Sequence, residues 1–580
     1  MLEEKKTGGN NFIAQAGILA VAGIVCRIIG LLYRSPLSEV IGTLGLGYYS
    51  SAYTFYTIVL LISSYSIPSA ISKVIAQKLA LHEYKNAHRL FIGAILYVLV
   101  IGSVASLFLF FGAGLFVAQE VVPVLRMFAP TIFIYGLLGV LRGYFQAHKS
   151  MVQTSISQIF EQIANAGVSI GAAFLLIKLT MGTMEVPSDN AGQVLRAVRG
   201  AMGSATGTGC GVLVALIVML VFYLKARPEL MRRMHEDEHK SKDSAGNIIK
   251  TITMIVTPFI LSTAIYNLSA PINTKIFTDL YIKFMSLGEN GKSAFENLIT
   301  AVFNGKSIDI SEELSIALNK DWGIFSGMAL TISNIPIAFA SAMASAMIPS
   351  VAQLVAAKKN EEAKEKIGVA VKTTMLISIP CAVGLFILAG PVTLLLFPSA
   401  ASNLTLATRS LMALAVSVVF FALSTLNSSI LQGLGKVNTP IVNAAIALVV
   451  QSITAIVLLF FTPLGLYSIA IANTLYSAIM AVLNQRAVRN AVGYKQEIKR
   501  TFVLTFAASA VMGAFAYGVY RLVLFISGSM RIAVIPAIIA AVPVYFVAMI
   551  LTKAVTSGEL KALPKGRLLV KIAKKLRLMH

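Results

Sequence analysis

Charged residues are scarce in this sequence. Lys, Arg, Asp and Glu make up 13% of its 580 residues, against about 25% in soluble globular proteins, while 57% of the residues are hydrophobic. This balance excludes an ordinary soluble enzyme and indicates a polytopic membrane protein. The 25 acidic residues are outnumbered by 48 basic ones. Because the basic residues fall between apolar runs and in the C-terminal tail, we expect no nucleic acid partner.

Residues that commonly do chemistry are also few. The three cysteines all lie in apolar runs, which excludes a disulfide framework: Cys26, Cys210 and Cys381. Among six histidines, only His235 and His239 have a spacing that could share a metal ion, and a solvated charged loop is the simpler interpretation. The glycine-rich segment 203–211 lies in an apolar run, so it indicates close helix packing and no phosphate-binding loop. We therefore expect no enzyme and no cofactor.

The apolar runs predict about 14 transmembrane helices, the first near 12–33 and the last near 532–552. Most lysines and arginines fall in segments on one side, which predicts that both termini are cytoplasmic. One long polar loop, 279–322, is predicted outside, with short helices near 292–303 and 311–320. It ends at Trp322, the only tryptophan, in a position typical of an interfacial anchor.

The chain contains an internal repeat. Ile67-Pro68-Ser69 recurs as Ile348-Pro349-Ser350 at an offset of 281 residues, and Gln146 has a counterpart in Gln432 at an offset of 286. We predict an all-α polytopic membrane protein with two pseudo-symmetric six-helix lobes in parallel orientation and two further C-terminal helices. The predicted boundaries are 1–250, 251–490 and 491–580. Parallel repeats of this kind are typical of transporters, whose substrate site lies near the membrane midplane.

The C-terminal tail adds a predicted membrane contact. On a helical wheel, residues 567–579 place most apolar side chains on one face, and a helix of this kind lies on a membrane surface. Four basic residues of the opposite face are candidates for binding anionic lipids of the inner leaflet: Lys571, Lys574, Lys575 and Arg577.

Arg27 lies well inside the first apolar run, and Arg34 and Glu39 follow at its far end. A charge at membrane depth costs at least ~2.5–3.5 kcal/mol on insertion scales, so it normally faces a partner or a water-filled cavity. One interpretation is a structural pair or a side chain that reaches a lipid headgroup. The other is that Arg27 lines a polar path and binds an anion.

Glu161 lies in the fifth predicted span among further polar residues at helical spacing: Gln158, Gln162 and Asn165. Counting helical rise from the cytoplasmic ends puts Glu161 ~17 Å deep and Arg27 ~24 Å deep, so we predict that they pair. Lys73 and Arg142 lie nearer the cytoplasmic mouth. Most asparagines of the second lobe are predicted to make interhelical hydrogen bonds. Asn273 and Lys275 are further candidates for contact with substrate.

Four features of the sequence resemble a known family. They are Arg27-Ile28-Ile29-Gly30, the two Ile-Pro-Ser segments, the Gln432-Gly433-x-Gly435-Lys436 turn, and 14 predicted spans where the two lobes alone would have 12. The chain resembles the flippase branch of the multidrug/oligosaccharidyl-lipid/polysaccharide exporter superfamily, namely the MurJ-type lipid II flippases and the SpoVB-like proteins. The resemblance implies a central cationic cavity, a groove for a polyprenyl tail beside the last two spans, and alternating access. Gram-negative lipid II flippases have further arginines where this chain has Thr54, Phe55 and Thr331, which favours the SpoVB-like branch.

The resulting hypothesis is a flippase for an undecaprenyl-pyrophosphate-linked saccharide, foremost lipid II, in a bacterial plasma membrane. Arg27 and Arg34 would bind pyrophosphate, because guanidinium groups bind phosphate oxygens in a bidentate way. We expect a monomer, coupling to the membrane potential or to a monovalent ion, and cell-wall synthesis proteins as candidate partners. A cation-coupled drug exporter of the same superfamily and a non-transporting cell-wall scaffold remain alternatives.

Overall fold

The computed structural model describes residues 22–23, 25–65, 67–148, 150–235, 237, 254, 267–287, 292–304 and 308–555. Every regular element in these ranges is a helix, as the composition predicted, and none is a β-strand. The chain forms two compact units, Met1–Gly323 and Ile324–His580. The predicted lobe boundaries at 250 and 490 stay a prediction.

The helices of the first unit follow one another with short connections. They are α1 (Arg34–Leu60), α2 (Ile67–Ala80), α3 (Tyr84–Phe111), α4 (Ala113–Phe116), α5 (Val122–Ala147), α6 (Val152–Met181), α7 (Asn190–His235), α8 (Ser269–Lys275), α9 (Ile282–Ser286), α10 (Lys292–Phe303) and α11 (Glu312–Trp322). Single π-helical turns join α1 to α2 and α8 to α9.

The second unit is built in the same way. Its helices are α12 (Leu330–Ala356), α13 (Asn360–Ile387), α14 (Ala389–Leu396), α15 (Leu404–Gly433), α16 (Asn438–Phe461), α17 (Tyr467–Val492), α18 (Thr505–Ser527) and α19 (Met530–Leu551).

Eleven helical segments within the described ranges are long and apolar enough to cross a membrane. They correspond one to one with eleven predicted spans, the third to sixth and the eighth to fourteenth. Of the first predicted span only residues 22–23 and 25–33 are described, and of the seventh only 254 and 267–278. The second corresponds to the later part of α1 and to α2. The fold is therefore an all-α polytopic membrane protein.

The helical chain is sharply kinked at Gly42, between the first two predicted spans. Residues 25–32 are helical and run directly into α1, which breaks at Gly42 with φ +71° and ψ 174°. Glycine fits here because a positive φ is unfavourable for residues with a Cβ atom. Arg196 of α7 donates a hydrogen bond to the Val40 carbonyl at 3.0 Å, and a cation at this position stabilises the carboxyl end of the first helix.

The internal repeat is visible in the burial of the helices. Buried residues of α6 recur as buried residues of α16 at the predicted offset of 286, namely Thr154 as Pro440, Ser157 as Asn443, Asn165 as Gln451, Ser169 as Ala455 and Ala173 as Leu459. The same offset relates α5 to α15, where Leu125 and Phe128 correspond to Leu411 and Leu414. Corresponding helices of the two halves therefore bury the same faces.

The long polar loop contains the two short helices that its sequence predicts, α10 and α11. Ser311 caps α11, because its Oγ accepts the backbone N–H of Leu314 at 3.3 Å. Trp322 at the end of α11 is not the predicted interfacial anchor. Its side chain is 2% exposed and stacks on Phe277, with ring centroids 5.2 Å apart. An indole between packed helices contributes more buried apolar area than one at an interface, so packing determines its position.

The charged segment after α7 is only partly described, and its one described acid, Asp237, is not solvated. Asp237 is 5% exposed. Its carboxylate accepts the backbone N–H of Lys85 at 2.8 Å, and its carbonyl accepts the Lys85 ammonium at 2.6 Å. The N-cap residue of α3, Glu83, makes no side-chain cap, so Asp237 supplies the capping acceptor from a distant part of the chain. His239 lies outside the described residues.

Candidate functional site

Three glycines of α7 lie against the backbone of α6. A Cβ atom built on Gly203 would be 2.4 Å from the backbone N of Ala173, one on Gly207 would be 2.4 Å from that of Ser169, and one on Gly211 would be 2.7 Å from the Glu161 carbonyl. Glycine at every fourth residue lets two membrane helices approach this closely. The glycine-rich segment is thus close helix packing, as predicted, and it fixes the position of α6.

The polar stripe of α6 is Ser157, Glu161, Asn165 and Ser169. These residues are four apart, so they lie on one helix face and rise about 6 Å from each to the next. Ser169 donates to the Asn165 amide oxygen at 2.9 Å, and Asn165 donates to the Tyr33 hydroxyl at 3.4 Å. The sequence predicted the central part of this stripe but added Gln158 and Gln162, which lie beside it.

Glu161 pairs with Arg142 of α5. The Arg142 Nη2 lies 2.8 Å from the Glu161 Oε2, and the Arg142 Nε donates to the Ser157 Oγ at 3.0 Å. The two side chains are 6% and 16% exposed. The predicted pairing of Glu161 with Arg27 is therefore wrong. Helical rise gives depth along the membrane normal, but lateral packing decides which of two cations at accessible depth faces the carboxylate.

Arg27 is exposed, and within the described ranges it makes no ion pair. Arg34 lies seven residues later, two helical turns along the same face. Glu39 lies on a different face and is exposed. Between the two arginines the first helix lies against α6, since a Cβ on Gly30 would lie 3.6 Å from the Gln162 Oε1 and the Tyr33 hydroxyl accepts a hydrogen bond from Asn165. The structure thus aligns the two arginines beside the polar stripe.

Arg34 lies among tyrosines. It hydrogen-bonds to the Tyr33 side chain and lies near Tyr49 and Tyr53 of α1. The Tyr49 hydroxyl is 3.5 Å from the Thr208 Oγ1. Tyr49 and Tyr53 each pack against Phe128 as well, at centroid distances of 5.6 and 5.8 Å. The sequence analysis missed these tyrosines, although their spacing of four residues on one helix is a readable signal.

The other predicted site residues of the first unit lie elsewhere. Lys73 is exposed on α2, and Asn273 is buried on α8. Lys275 pairs with Asp279 at 2.9 Å. Burial of Asp279 opposes ionisation, but hydrogen bonds from Lys283 and Lys275 outweigh it and leave the pKa of this carboxyl below its usual value. The four basic residues of the tail lie outside the described residues.

The second unit uses neutral groups where the first uses charges. Asn484 donates to the Ser428 Oγ at 2.8 Å and accepts from Asn443 at 2.8 Å. Asn427 donates to the Gln485 side chain at 3.0 Å. These amides join α15, α16 and α17, so Asn427 and Asn443 have the packing role that the sequence predicted. One buried cation in this unit was missed, Lys372 of α13, which is 5% exposed.

An open apolar cavity of about 330 Å³ lies in the second unit, where α18 and α19 meet α13, α14 and α15. Its lining includes Ile387, Thr408, Tyr517, Tyr520 and Met530. One helical turn before Tyr517, packing of α18 against α13 is close, since a Cβ on Gly513 would lie 2.3 Å from the Ile387 Cδ1. Within the second unit, α18 therefore packs closely on α13 beside this apolar recess. Among the described residues, no group of three or more His, Cys, Asp or Glu side chains could hold a metal ion.

Comparison with known families shows which family this chain belongs to. The family described as lipid II flippase MurJ matches residues 87–535. The chain belongs to this family. Lipid II flippase MurJ of Bacillus subtilis is 25% identical over 554 residues, covering 90% of this chain and 92% of that protein. Stage V sporulation protein B of the same organism is 22% identical over 570 residues, covering 97% and 99%.

Solved structures show the same fold. A MurJ lipid II flippase in an inward closed conformation aligns with a TM-score of 0.58 at 14% identity, covering 91% of this chain and 97% of that one. An inward-facing MATE family transporter of the MOP superfamily also aligns with a TM-score of 0.58, at 15% identity, covering 82% and 98%. At the two threonine positions singled out in the sequence, Thr54 and Thr331, the hydroxyls donate hydrogen bonds to backbone carbonyls four residues earlier, each at 2.8 Å.

Proposed function

We propose that this protein is a flippase that carries an undecaprenyl-pyrophosphate-linked saccharide, foremost lipid II, across a bacterial plasma membrane by alternating access. Both termini are cytoplasmic in this proposal, and the protein acts as a monomer without a cofactor. Membership of the MurJ family and the Bacillus subtilis relative named lipid II flippase support this substrate class. Transport requires a polar path for the headgroup and an apolar one for the lipid tail.

The observation that carries the proposal is the alignment of Arg27 and Arg34 on one face of the first helix. Arg27 lies inside the first predicted span and Arg34 directly follows it, where a cation is costly unless an anion or water meets it. The nearby carboxylate of Glu161 is occupied by Arg142. A pyrophosphate, with several oxygens and at least two negative charges, suits a pair of guanidinium groups. Lys73, exposed on α2, would recruit the headgroup from the inner leaflet.

The apolar recess beside α18 and α19 supports a site for part of the polyprenyl tail, because its described lining is predominantly hydrocarbon and aromatic. An inside-negative membrane potential would favour outward movement of the anionic headgroup by ~2.3 kcal/mol per charge per 100 mV. This driving force acts without a second substrate. A coupled monovalent ion is the competing source of energy, and transport in vesicles without an ion gradient distinguishes the two.

The test is competitive binding measured by native mass spectrometry of the purified protein with lipid II, undecaprenyl phosphate and cardiolipin. We expect lipid II to be retained selectively by the wild type and about tenfold less by Arg27→Ala, equivalent to ~1.4 kcal/mol. Arg521→Ala is the matched control, since Arg521 is an exposed arginine of α18. Equal retention of all three lipids, with export of cationic dyes from vesicles, would replace the proposal with a drug exporter.

A further inference from the structure

The two halves of the repeat link corresponding helices with different chemistry. At the offset of 286, Arg142 of α5 corresponds to Ser428 of α15, and Ser157 of α6 corresponds to Asn443 of α16. Glu161 corresponds to Ala447, which is buried. The first unit therefore has a charged link at a position where the second unit has hydroxyl and amide groups.

The neutral link shows that these helices pack without an ion pair. In the second unit, Asn484 of α17 bonds to Ser428 of α15 and to Asn443 of α16, each at 2.8 Å, so the neutral link runs through a third helix, and all three side chains are buried. A buried ion pair is seldom more stabilising than neutral groups of similar size, because two charges must be removed from water. The charged pair of the first unit is thus not explained by helix packing alone.

The geometry of the charged pair points to an exchangeable anion. The Glu161 carboxylate contacts one terminal nitrogen of Arg142, while Ser157 accepts the Nε hydrogen and holds the guanidinium in place independently of the carboxylate. Glu161 retains 16% of its side-chain exposure, so the pair is not sealed inside the bundle. A phosphate oxygen makes the same charge-assisted hydrogen bond to a guanidinium as a carboxylate oxygen does.

We propose that Glu161 is a resident counter-anion that occupies Arg142 when the protein is empty, and that the pyrophosphate of the cargo displaces it. This inference rests on the proposed function and deepens it. In the empty state the pair neutralises Arg142. In the loaded state Arg142 binds a phosphate oxygen, and return of the Glu161 carboxylate then helps to release the cargo. Glu161 is thus a positioning residue that acts through Arg142 and does not itself touch the cargo.

The decisive variant is Glu161→Gln, which removes the competing charge and keeps the side chain's shape. Because Arg142 would then lack a carboxylate competitor, we expect undecaprenyl pyrophosphate to bind about tenfold more tightly. We expect the maximal flipping rate in proteoliposomes to fall, since release loses its competing anion. Affinity and rate should therefore change in opposite directions, which loss of a merely structural contact would not produce.

Two further variants keep the test independent of folding. Arg142→Ser with Glu161→Ala gives the first unit residues found at the corresponding positions of the second, so we expect a melting temperature near that of the wild type with weakened diphosphate binding. Asn443→Ala is the matched control in the second unit. It should lower the melting temperature and leave the affinity for undecaprenyl pyrophosphate unchanged.

The outcomes separate this inference from the proposed function. Tighter binding with slower flipping in Glu161→Gln supports the exchange. Unchanged or weaker binding in a Glu161→Gln protein that melts normally would overturn it, while wild-type binding and its loss in Arg27→Ala would still support a flippase. If the wild type retains neither lipid II nor undecaprenyl pyrophosphate, the proposed function fails and the exchange fails with it.

Discussion

The packing of α6 on α7 allows a quantitative test with Gly207→Ala. The new methyl group would lie 2.4 Å from the Ser169 backbone N and 2.1 Å from its Oγ. The hydroxyl can rotate away, but the backbone cannot, so the two helices must separate by about 1 Å to restore ordinary contact. Overpacking of this kind costs about 1–3 kcal/mol. The gain in helix propensity from Gly to Ala is smaller, about 1 kcal/mol.

The control is Gly171→Ala on α6. Nothing lies within 4 Å of a Cβ at Gly171, so only the helix propensity changes and stability should be equal or higher. The propensity gain is common to both variants, so at ~2–4 °C per kcal/mol we expect Gly207→Ala to melt about 2–12 °C below Gly171→Ala. Thermal unfolding of the purified full-length protein in detergent, followed by a thiol-reactive dye that reports newly exposed cysteines, measures this difference.

Separation of the two helices should also affect the site. Ser169 bonds to Asn165, one helical turn from Glu161, so a shift of α6 changes the distance from Glu161 to Arg142. We expect weaker retention of lipid II by Gly207→Ala and none of this loss in Gly171→Ala. Equal melting temperatures for the two variants would refute the packing argument, because the contact distances leave no other way to accommodate the methyl group.

Three further predictions concern the periphery of the site. Asp237→Ala removes the only side-chain cap found for α3 in the described structure, and we expect a loss of ~1 kcal/mol in thermal unfolding. The pKa of Asp279 is lowered in the folded protein, so its ion pairs stabilise the fold above the usual pKa of 3.8 and weaken as the pH falls through the lower folded value. The difference in melting temperature between wild type and Asp279→Asn should therefore shrink below pH 3.8, and a constant difference down to pH 2 would contradict the prediction. Because Trp322 is the only tryptophan and is buried against Phe277, its fluorescence emission maximum should lie at short wavelength and shift to longer wavelength in Phe277→Ala. An unshifted emission maximum would mean that Phe277 does not hold the indole in place.

Part of the site could be read from the sequence. The polar residues around Glu161 were identified from their four-residue spacing, because residues at that spacing share a helix face wherever the helix lies. The glycines of 203–211 were interpreted correctly for a similar reason, since small residues in an apolar run permit close backbone contact. In each case the signal is local to one helix, so knowledge of neighbouring helices was not required.

What the sequence by itself determined was the class of protein, the position of most spans and the repeat at an offset of 286. These follow from the length of apolar runs and from order along the chain. Only the tertiary structure decided that Glu161 faces Arg142, that Trp322 packs on Phe277 and that Asp237 caps α3. A sequence gives the depth of a residue through helical rise, but the lateral neighbour depends on how helices distant in the chain rotate and pack, and no local pattern encodes that contact.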